Sequence, residues 1–103
     1  MSKEVALDRA LHAIADPTRR RILQFLKQSR PAKSTTGSPD GERCFCGGEI
    51  EEKIQLSQPT VSHHMTILTK AGLVVATKQG QWRWYRRNEK SIRQVVKSLR
   101  GQL

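Results

Sequence analysis

Between residues 57 and 87 the spacing of apolar residues changes from a helical to a strand period, and this change constrains the fold more than any other feature. Residues 58–71 carry apolar side chains at intervals of four and three, which predicts one helix with a narrow buried stripe. The stripe consists of Val61, Met65 and Leu68. Ser57 is a suitable N-cap, Pro59 is tolerated in a first turn, and Gly72 is a residue type that commonly ends a helix.

A hairpin is predicted directly after this helix. Residues 73–87, "LVVATKQGQWRWYRR", contain two runs rich in β-branched and aromatic residues on either side of "KQGQ". A short helix at about residues 48–55, with Ile50 and Ile54 buried, precedes the longer one and is joined to it through "QLSQ". Two short helices followed by a hairpin match a winged helix-turn-helix.

Two more helices are predicted near the N-terminus. Residues 3–14 hold three apolar residues spaced four and three apart: Leu7, Leu11 and Ile14. Asp16 has the character of an N-cap and Pro17 that of a first helical residue, so a second helix is predicted over "PTRRRILQFLKQ". Its buried residues are expected to be Ile22, Leu23 and Leu26.

The predicted fold is mainly α with a β-hairpin wing, in one domain of 103 residues. Residues 29–43 are rich in proline, glycine, serine and threonine, which predicts a flexible loop. The C-terminal segment 89–100 predicts a last amphipathic helix, whose apolar residues are Ile92, Val95, Val96 and Leu99. A single core of this size is marginal. We therefore expect the apolar stripes of residues 3–14 and 89–100, including Leu11, to form a dimer interface.

The net charge limits the class of binding partner without identifying the partner itself. The net charge is +10, and residues 57–103 alone carry nine basic and one acidic side chains. A polyanion such as nucleic acid fits this excess, although charge of this kind also serves solubility.

The outward face of the helix at residues 58–71 bears short side chains that form hydrogen bonds. Gln58 and Thr60 lie at its tip, with Ser62 and His63 behind them. Side chains of this kind suit base edges in a major groove, with Lys70 near phosphates. An ordinary polar solvent face is the alternative.

Basic residues cluster around the predicted hairpin, where a phosphate backbone would lie beside a wing. They are Lys78, Arg83, Arg86 and Arg87. Three aromatic residues interleave with them: Trp82, Trp84 and Tyr85. Packing of these rings on the core is favoured over stacking on nucleic acid.

Three segments together resemble the ArsR/SmtB family of bacterial repressors. They are "ADPTRRRIL" at residues 15–23, "LSQPTVSHHMTILTKAGLV" at residues 56–74 and "GQWRWY" at residues 80–85. The resemblance implies a homodimeric repressor that binds a double-stranded DNA operator with an inverted repeat. It also implies a dimer interface of the first and last helices, and release of the operator when an effector binds.

Cys44 and Cys46 are the candidate effector ligands. The sequence shows neither a membrane-spanning apolar run nor a signal peptide, so we expect a cytoplasmic protein with reduced thiols. In metal-responsive members of the family, a Cys-x-Cys opens the first helix of the helix-turn-helix and binds arsenite, antimonite or a soft divalent metal. This chain departs from that pattern, because Gly47 and Gly48 follow where Asp-Leu would stand and a third cysteine is missing.

Two expectations about these thiols follow from helix geometry. A helix N-terminus lowers the pKa of a cysteine, and thiolates select soft ions. Residues i and i+2 of a helix point roughly 200° apart, so both sulfurs reach one ion only if the first turn unwinds. Gly47 and Gly48 would make unwinding easy. Cadmium or zinc, which prefers four ligands, a thiol redox switch and two inert cysteines remain alternatives.

Other classes of function fit less well. The sequence shows no constellation of catalytic residues in a plausible context, which argues against an enzyme, and no cofactor besides the effector is expected. A nonspecific architectural or RNA-binding protein would share the charge. Such a protein would have no need of Gln58, Ser62 and His63 at positions suited to base reading. His63 and His64 lie in the predicted recognition helix and are not counted as metal ligands.

Overall fold

The computed structural model describes residues 3–27 and 44–103 of the chain. In chain order, its elements are α1 (Lys3–Ile14), α2 (Pro17–Leu26), β1 (Phe45–Cys46), α3 (Gly47–Ile54), α4 (Gln58–Lys70), β2 (Val74–Gln79), β3 (Trp82–Arg87) and α5 (Glu89–Gln102). The predicted flexible loop, residues 29–43, lies outside the described residues. The mainly helical winged helix-turn-helix architecture is confirmed.

The predicted start of α2 is confirmed. The carboxylate of Asp16 accepts a hydrogen bond from the backbone N–H of Arg19 at 3.0 Å, and Pro17 occupies the first turn. This hydrogen bond is the main cause of the lowered pKa of Asp16. Ile22 and Leu26 are buried as expected.

The helix-turn-helix consists of α3 and α4. α3 begins at Gly47, one residue before the predicted start, and ends where Gln55 adopts the left-handed conformation with φ of 63°. The predicted stripe of α4 is buried: Val61, Met65 and Leu68. Ser57 is the N-cap, and Gly72 follows the helix with φ of 80°, a conformation that favours glycine.

The predicted hairpin is confirmed and belongs to a larger sheet. β2 and β3 pair antiparallel from Val74 opposite Arg87 to Gln79 opposite Trp82. β1 was not predicted from the sequence, and it pairs antiparallel with the other edge of β3 in the order β1-β3-β2. A two-residue strand is too short to produce a periodic pattern.

The two faces of this sheet have different environments. Phe45 and Tyr85 lie opposite each other on the inner face and join the helical core, where the ring centroids of Phe45 and Phe25 are 4.6 Å apart. Because side chains alternate along a strand, Trp84 and Cys46 lie opposite each other on the outer face. Packing was predicted for all three interleaved aromatic residues. It is correct for Trp84 and Tyr85 and wrong for Trp82, which is 53% exposed near the end of the hairpin.

Arg87 joins the sheet to two helices. Its guanidinium donates two hydrogen bonds to Glu89 in the first turn of α5, at 2.8 and 3.2 Å, and one to the carbonyl of Leu23 in α2 at 3.1 Å. The sequence grouped Arg87 with the basic residues of the wing. The structure shows instead that it holds the start of α5 against α2.

α5 covers the core only partly. Ile92 and Val95 pack against buried residues, yet no residue of α5 is itself buried. Val96 is 50% exposed and Leu103 is 97% exposed. An apolar stripe of α5 therefore remains on the surface of the chain. Among the described helices, none is both long and apolar enough to cross a membrane.

Candidate nucleic-acid interface and cysteine site

The exposed face of α4 gathers the four residues predicted to read bases. Gln58, Thr60, Ser62 and His63 are all exposed and lie within its first six positions, about 9 Å of helix. The hydroxyls of Ser57 and Thr60 are 3.0 Å apart and share a hydrogen bond, which orders the tip of the helix. The result is a compact polar surface at a helix N-terminus, where the helix dipole is positive.

The predicted phosphate-binding residues separate into three places. Lys78 and Arg83 lie directly opposite each other near the end of the hairpin, and both are exposed. They share the sheet face of Val74 and Tyr85, on which the helices pack, because alternate residues of a strand point to the same face.

Arg86 and Lys70 lie elsewhere. Arg86 is half-buried. It lies on the outer face of the sheet, because it is three positions from Arg83 and side chains alternate along a strand. Lys70 is at the C-terminal end of α4, in a groove that it lines with Arg9 of α1 and Lys97 of α5. The structure thus groups Lys78 and Arg83 beside the α4 side of the sheet, and places Arg86 and Lys70 apart from them.

Arg19, a buried residue of α2, contacts α4 at His64, away from the four exposed residues predicted to read bases. Arg19 is 8% exposed, and its Nε donates to the carbonyl of Ala13 at 2.6 Å. Its terminal nitrogens lie 3.4 Å from the carbonyl of His12 and 3.2 Å from Nδ1 of His64. Arginine only donates, so Nδ1 of His64 accepts and the proton of the neutral ring is on Nε2.

Burial lowers the pKa of His64, against the opposing effect of Asp16. The contact between Arg19 and His64 was not predicted from the sequence. The two residues are 45 positions apart, and local periodicity carries no information about such a pair.

The two cysteines are placed differently from the arrangement that the family resemblance implied. Cys46 lies in β1 and is the N-cap of α3, and Cys44 is two residues earlier. Cys44 precedes β1, so the strand includes only the second of the two cysteines. The expectation that a helical turn must unwind is therefore wrong, because the pair precedes the helix. Cys44 is 1% exposed, Cys46 is half-buried, and neither is in a disulfide.

Gly47 and Gly48 consequently have no role as a hinge between the sulfurs. A Cβ at Gly48 would lie 4.0 Å from the sulfur of Cys46, an ordinary van der Waals distance. A Cβ at Gly48 would therefore contact that sulfur without a clash.

The pKa of Cys46 is raised, so the expectation of a lowered value is wrong. Burial is the main cause, and the neighbouring carboxylate of Glu49 adds to it, against hydrogen bonds from the backbone of Glu49 and Gly48. Glu49 is close because its Oε1 accepts a hydrogen bond from the backbone N–H of Cys46 at 2.9 Å, as in a capping box. Glu49 was not among the predicted site residues, although the spacing Cys-x-x-Glu could have revealed it.

Within residues 3–27 and 44–103, the structure shows no group of three or more histidine, cysteine, aspartate or glutamate side chains that could hold a metal ion. Cys44 and Cys46 therefore offer two thiol donors, and any further ligand would come from elsewhere. His63 and His64 are neighbours on α4, with ring centroids 5.9 Å apart. Neither belongs to a group of this kind within the described residues.

The amino-acid sequence is similar to those of known regulatory proteins. Residues 39–75 match the family model described as bacterial regulatory protein, arsR family. An uncharacterized HTH-type transcriptional regulator of Methanocaldococcus jannaschii is 35% identical over 85 residues, which cover 82% of this chain and 81% of that protein. An arsenical resistance operon repressor of Staphylococcus aureus is 35% identical over 78 residues, covering 76% of this chain and 73% of the relative.

Solved structures share the fold. A crystal structure described as a possible transcriptional regulator for arsenical resistance matches with a TM-score of 0.68 and 27% identity, over 88% of this chain and 80% of that one. A winged helix-turn-helix domain from Mycobacterium bovis, described as homodimeric, matches with a TM-score of 0.67 and 21% identity, over 96% and 84% of the two chains.

The surroundings of Cys46 lead to a prediction about thiol reactivity. In Glu49→Gln the amide oxygen can still accept the hydrogen bond from the backbone of Cys46, but the negative charge is gone. The pKa of Cys46 should fall, so its alkylation by iodoacetamide at pH 7 should become a few times faster, with the midpoint of the rate–pH profile at lower pH. Mass spectrometry of the labelled peptide distinguishes Cys46 from the buried Cys44. Glu52→Gln, an exposed position on the same helix, is the matched control. Identical profiles for the wild type and Glu49→Gln would contradict the electrostatic role of Glu49.

Proposed function

The chain belongs to the ArsR family of bacterial regulatory proteins, and on this premise we propose that it is a dimeric repressor that releases its operator when arsenite or antimonite binds Cys44 and Cys46. The observation that carries the DNA-binding part is the position of the exposed residues of α4 relative to the cations of the hairpin. α4 packs on the face of the sheet that carries Val74 and Tyr85. Lys78 and Arg83, at the end of the hairpin, lie on this same face.

The geometry of α4 suits insertion into a major groove, which is about 12 Å wide. Gln58, Thr60, Ser62 and His63 would then meet base edges. Lys78 and Arg83 are like charges directly opposite each other, an arrangement that destabilises a sheet unless an anion lies nearby. A phosphate backbone beside the wing supplies that anion.

Dimerisation explains the exposed stripe of α5. Its apolar residues Ile92, Val95 and Leu99 are half-buried within one chain, and Val96 remains 50% exposed. Pairing of α5 with α5 of a second copy, beside α1 and its half-buried Leu11, would cover this stripe. Two recognition helices related by a twofold axis then match the two halves of an inverted repeat.

Two cysteine thiols two residues apart, directly before α3, suit a soft trivalent ion. Arsenous acid would lose two hydroxyl groups as water, with the two thiol protons, as two As–S bonds form. One arsenic position remains for a hydroxyl or another ligand. Cys46 is only half-buried, which leaves this residue partly accessible to an incoming ion. Because Cys46 is the N-cap of α3, and α3 packs against α4, a displacement at Cys46 would reach the recognition helix.

The dimer is tested with one apolar position of α5. Val96→Glu places a charge in the centre of the exposed stripe, so we expect a folded monomer by sedimentation equilibrium at micromolar concentration, where the wild type is a dimer. Lys90→Glu introduces the same carboxylate outside the stripe and should remain dimeric. A wild-type monomer at that concentration would rule out this assembly.

The assignment of α4 to bases and of the wing to phosphates predicts two kinds of variant. Ser62→Ala or His63→Ala should reduce the preference for operator over random DNA by roughly 1–3 kcal/mol for each base that is no longer read. Arg83→Ala should weaken operator and random DNA about equally and lower the slope of log K against log salt by about 1.

Fluorescence anisotropy at several salt concentrations measures both effects on a duplex selected in vitro. Arg100→Ala, at an exposed position in the last turn of α5, is the control for loss of one positive charge. If the wild-type affinities for selected and random duplexes were equal at every salt concentration, a nonspecific architectural protein would be the better description.

The sensor proposal predicts that the two cysteines act together. Cys44→Ser, Cys46→Ser and the double variant should lose arsenite- and antimonite-induced operator release to a similar degree, because chelation needs both sulfurs. Their operator affinity without ion should remain, since neither cysteine lies on the exposed face of α4. Circular dichroism checks the fold of Cys44→Ser, whose position is buried.

The titration uses reduced protein and four ions: arsenite, antimonite, cadmium and zinc. Release by cadmium or zinc alone would change the ion assigned to the site. Undiminished release from the double variant would show that the cysteines are not the sensor.

A further inference from the structure

The corner where α1 ends and α2 begins is joined to α4 by one side chain. Arg19 binds the carbonyls of His12 and Ala13, in the last turn of α1, and Nδ1 of His64 in the middle of α4. We call these contacts the arginine–histidine bridge. Carbonyls at a helix end lack partners within their own helix. Arg19 donates to the carbonyls of Ala13 and His12, and the latter also accepts from the backbone N–H of Ala15.

We propose that Arg19 is a positioning residue for operator reading: by donating to His64, it holds α4 at the rotation at which its exposed side chains meet base edges. This deepens the proposed function and rests on it, because the effect is exerted on DNA recognition. Arg19 itself touches no DNA in this assignment.

The need for such a bridge follows from how α4 is otherwise held. Its buried stripe consists of Val61, Met65 and Leu68, and apolar contacts are not directional. A hydrogen bond from a buried guanidinium fixes both distance and direction. Ser62 and His63 directly precede His64, so a rotation of α4 that breaks the bridge also moves both residues.

The other end of the bridge lies on α1. Arg19 therefore relates the orientation of α4 to a helix that belongs to the proposed dimer interface. In a dimer, the spacing of the two recognition helices depends on how each α4 is held relative to the twofold axis. The bridge fixes this relation through the hydrogen bonds of one side chain.

The protonation state of His64 decides whether the bridge exists. A doubly protonated imidazole has no acceptor, and it would place two cations 3.2 Å apart. Asp16 at the start of α2 favours the charged ring, whereas Arg19 of α2 and His63 of α4 disfavour it. α1 contributes the carbonyls of His12 and Ala13, both bound by Arg19. The bridge is thus intact above the pKa of His64 and broken below it.

The test compares His64→Leu with His64→Gln. Leucine removes the acceptor, so affinity for a selected operator should fall roughly 10-fold while affinity for random DNA stays the same. Glutamine offers an amide oxygen to Arg19 and should restore most of the affinity. Equal losses in both variants would overturn the proposal, and so would an unchanged affinity in His64→Leu.

Two further measurements separate positioning from a general loss of stability. The wild-type preference for operator over random DNA should decline as pH falls through the pKa of His64, which burial places below the ordinary histidine value, and His64→Gln should show no such decline. A double-mutant cycle of Arg19→Gln with His64→Leu should be non-additive. Equal pH profiles of wild type and His64→Gln, or additive losses, would count against the bridge.

Nitrogen-15 NMR of the imidazole distinguishes the failure of this proposal from that of the proposed function. At pH 7.5 the free wild-type protein should show His64 with its proton on Nε2. The other tautomer would overturn the bridge alone. In vitro selection that enriches no sequence with the wild type would refute the proposed function, and the positioning role would fall with it.

Discussion

The central position of β3 is the constraint on which the rest of the structure depends. This strand pairs with β2 along its full length and with β1 on its other edge, so it connects the wing to the start of the helix-turn-helix. Tyr85 packs into the helical core on one face, and Trp84 lies beside Cys46 on the other. At its end, Arg87 holds α5 and α2. Loss of this strand would remove the support of the wing, the cysteine site and α5 together.

The same strand separates the two proposed surfaces. Lys78 and Arg83 lie on the face that continues into the helical core, whereas Cys46 lies on the opposite face. An ion at the cysteines would therefore not compete with DNA for space. Its influence would have to pass through the backbone of β1 into α3, and from α3 into α4 by packing. Allosteric couplings between two sites are typically only about 1–3 kcal/mol, which a change at one helix cap can supply.

Local patterns predicted the helix-turn-helix and hairpin because the periods, caps and turn residues of these elements lie within a few positions of one another. Gly72 and the buried stripe of α4 are examples. β1 and the contact of Arg19 with His64 could not be found in this way, since their partners are about 40 positions distant. The direction of the Cys46 pKa shift was missed for a different reason. It depends on burial and on a carboxylate, and the helix terminus alone suggested the opposite sign.

The position of Cys46 as N-cap has consequences for how an ion could act. Sulfur is a weak hydrogen-bond acceptor, so its contact with the first turn of α3 contributes less than an oxygen cap would. The start of α3 is held mainly by the Glu49 carboxylate on the Cys46 backbone and by the pairing of β1 with β3. A thiophilic ion can therefore take the sulfur away from the helix at little cost. Arsenous acid that exchanges two hydroxyl groups for the two sulfurs leaves a neutral adduct beside Glu49. Its effect on the start of α3 would therefore come from displacement of the Cys46 sulfur and of the backbone that Glu49 caps, and not from added charge.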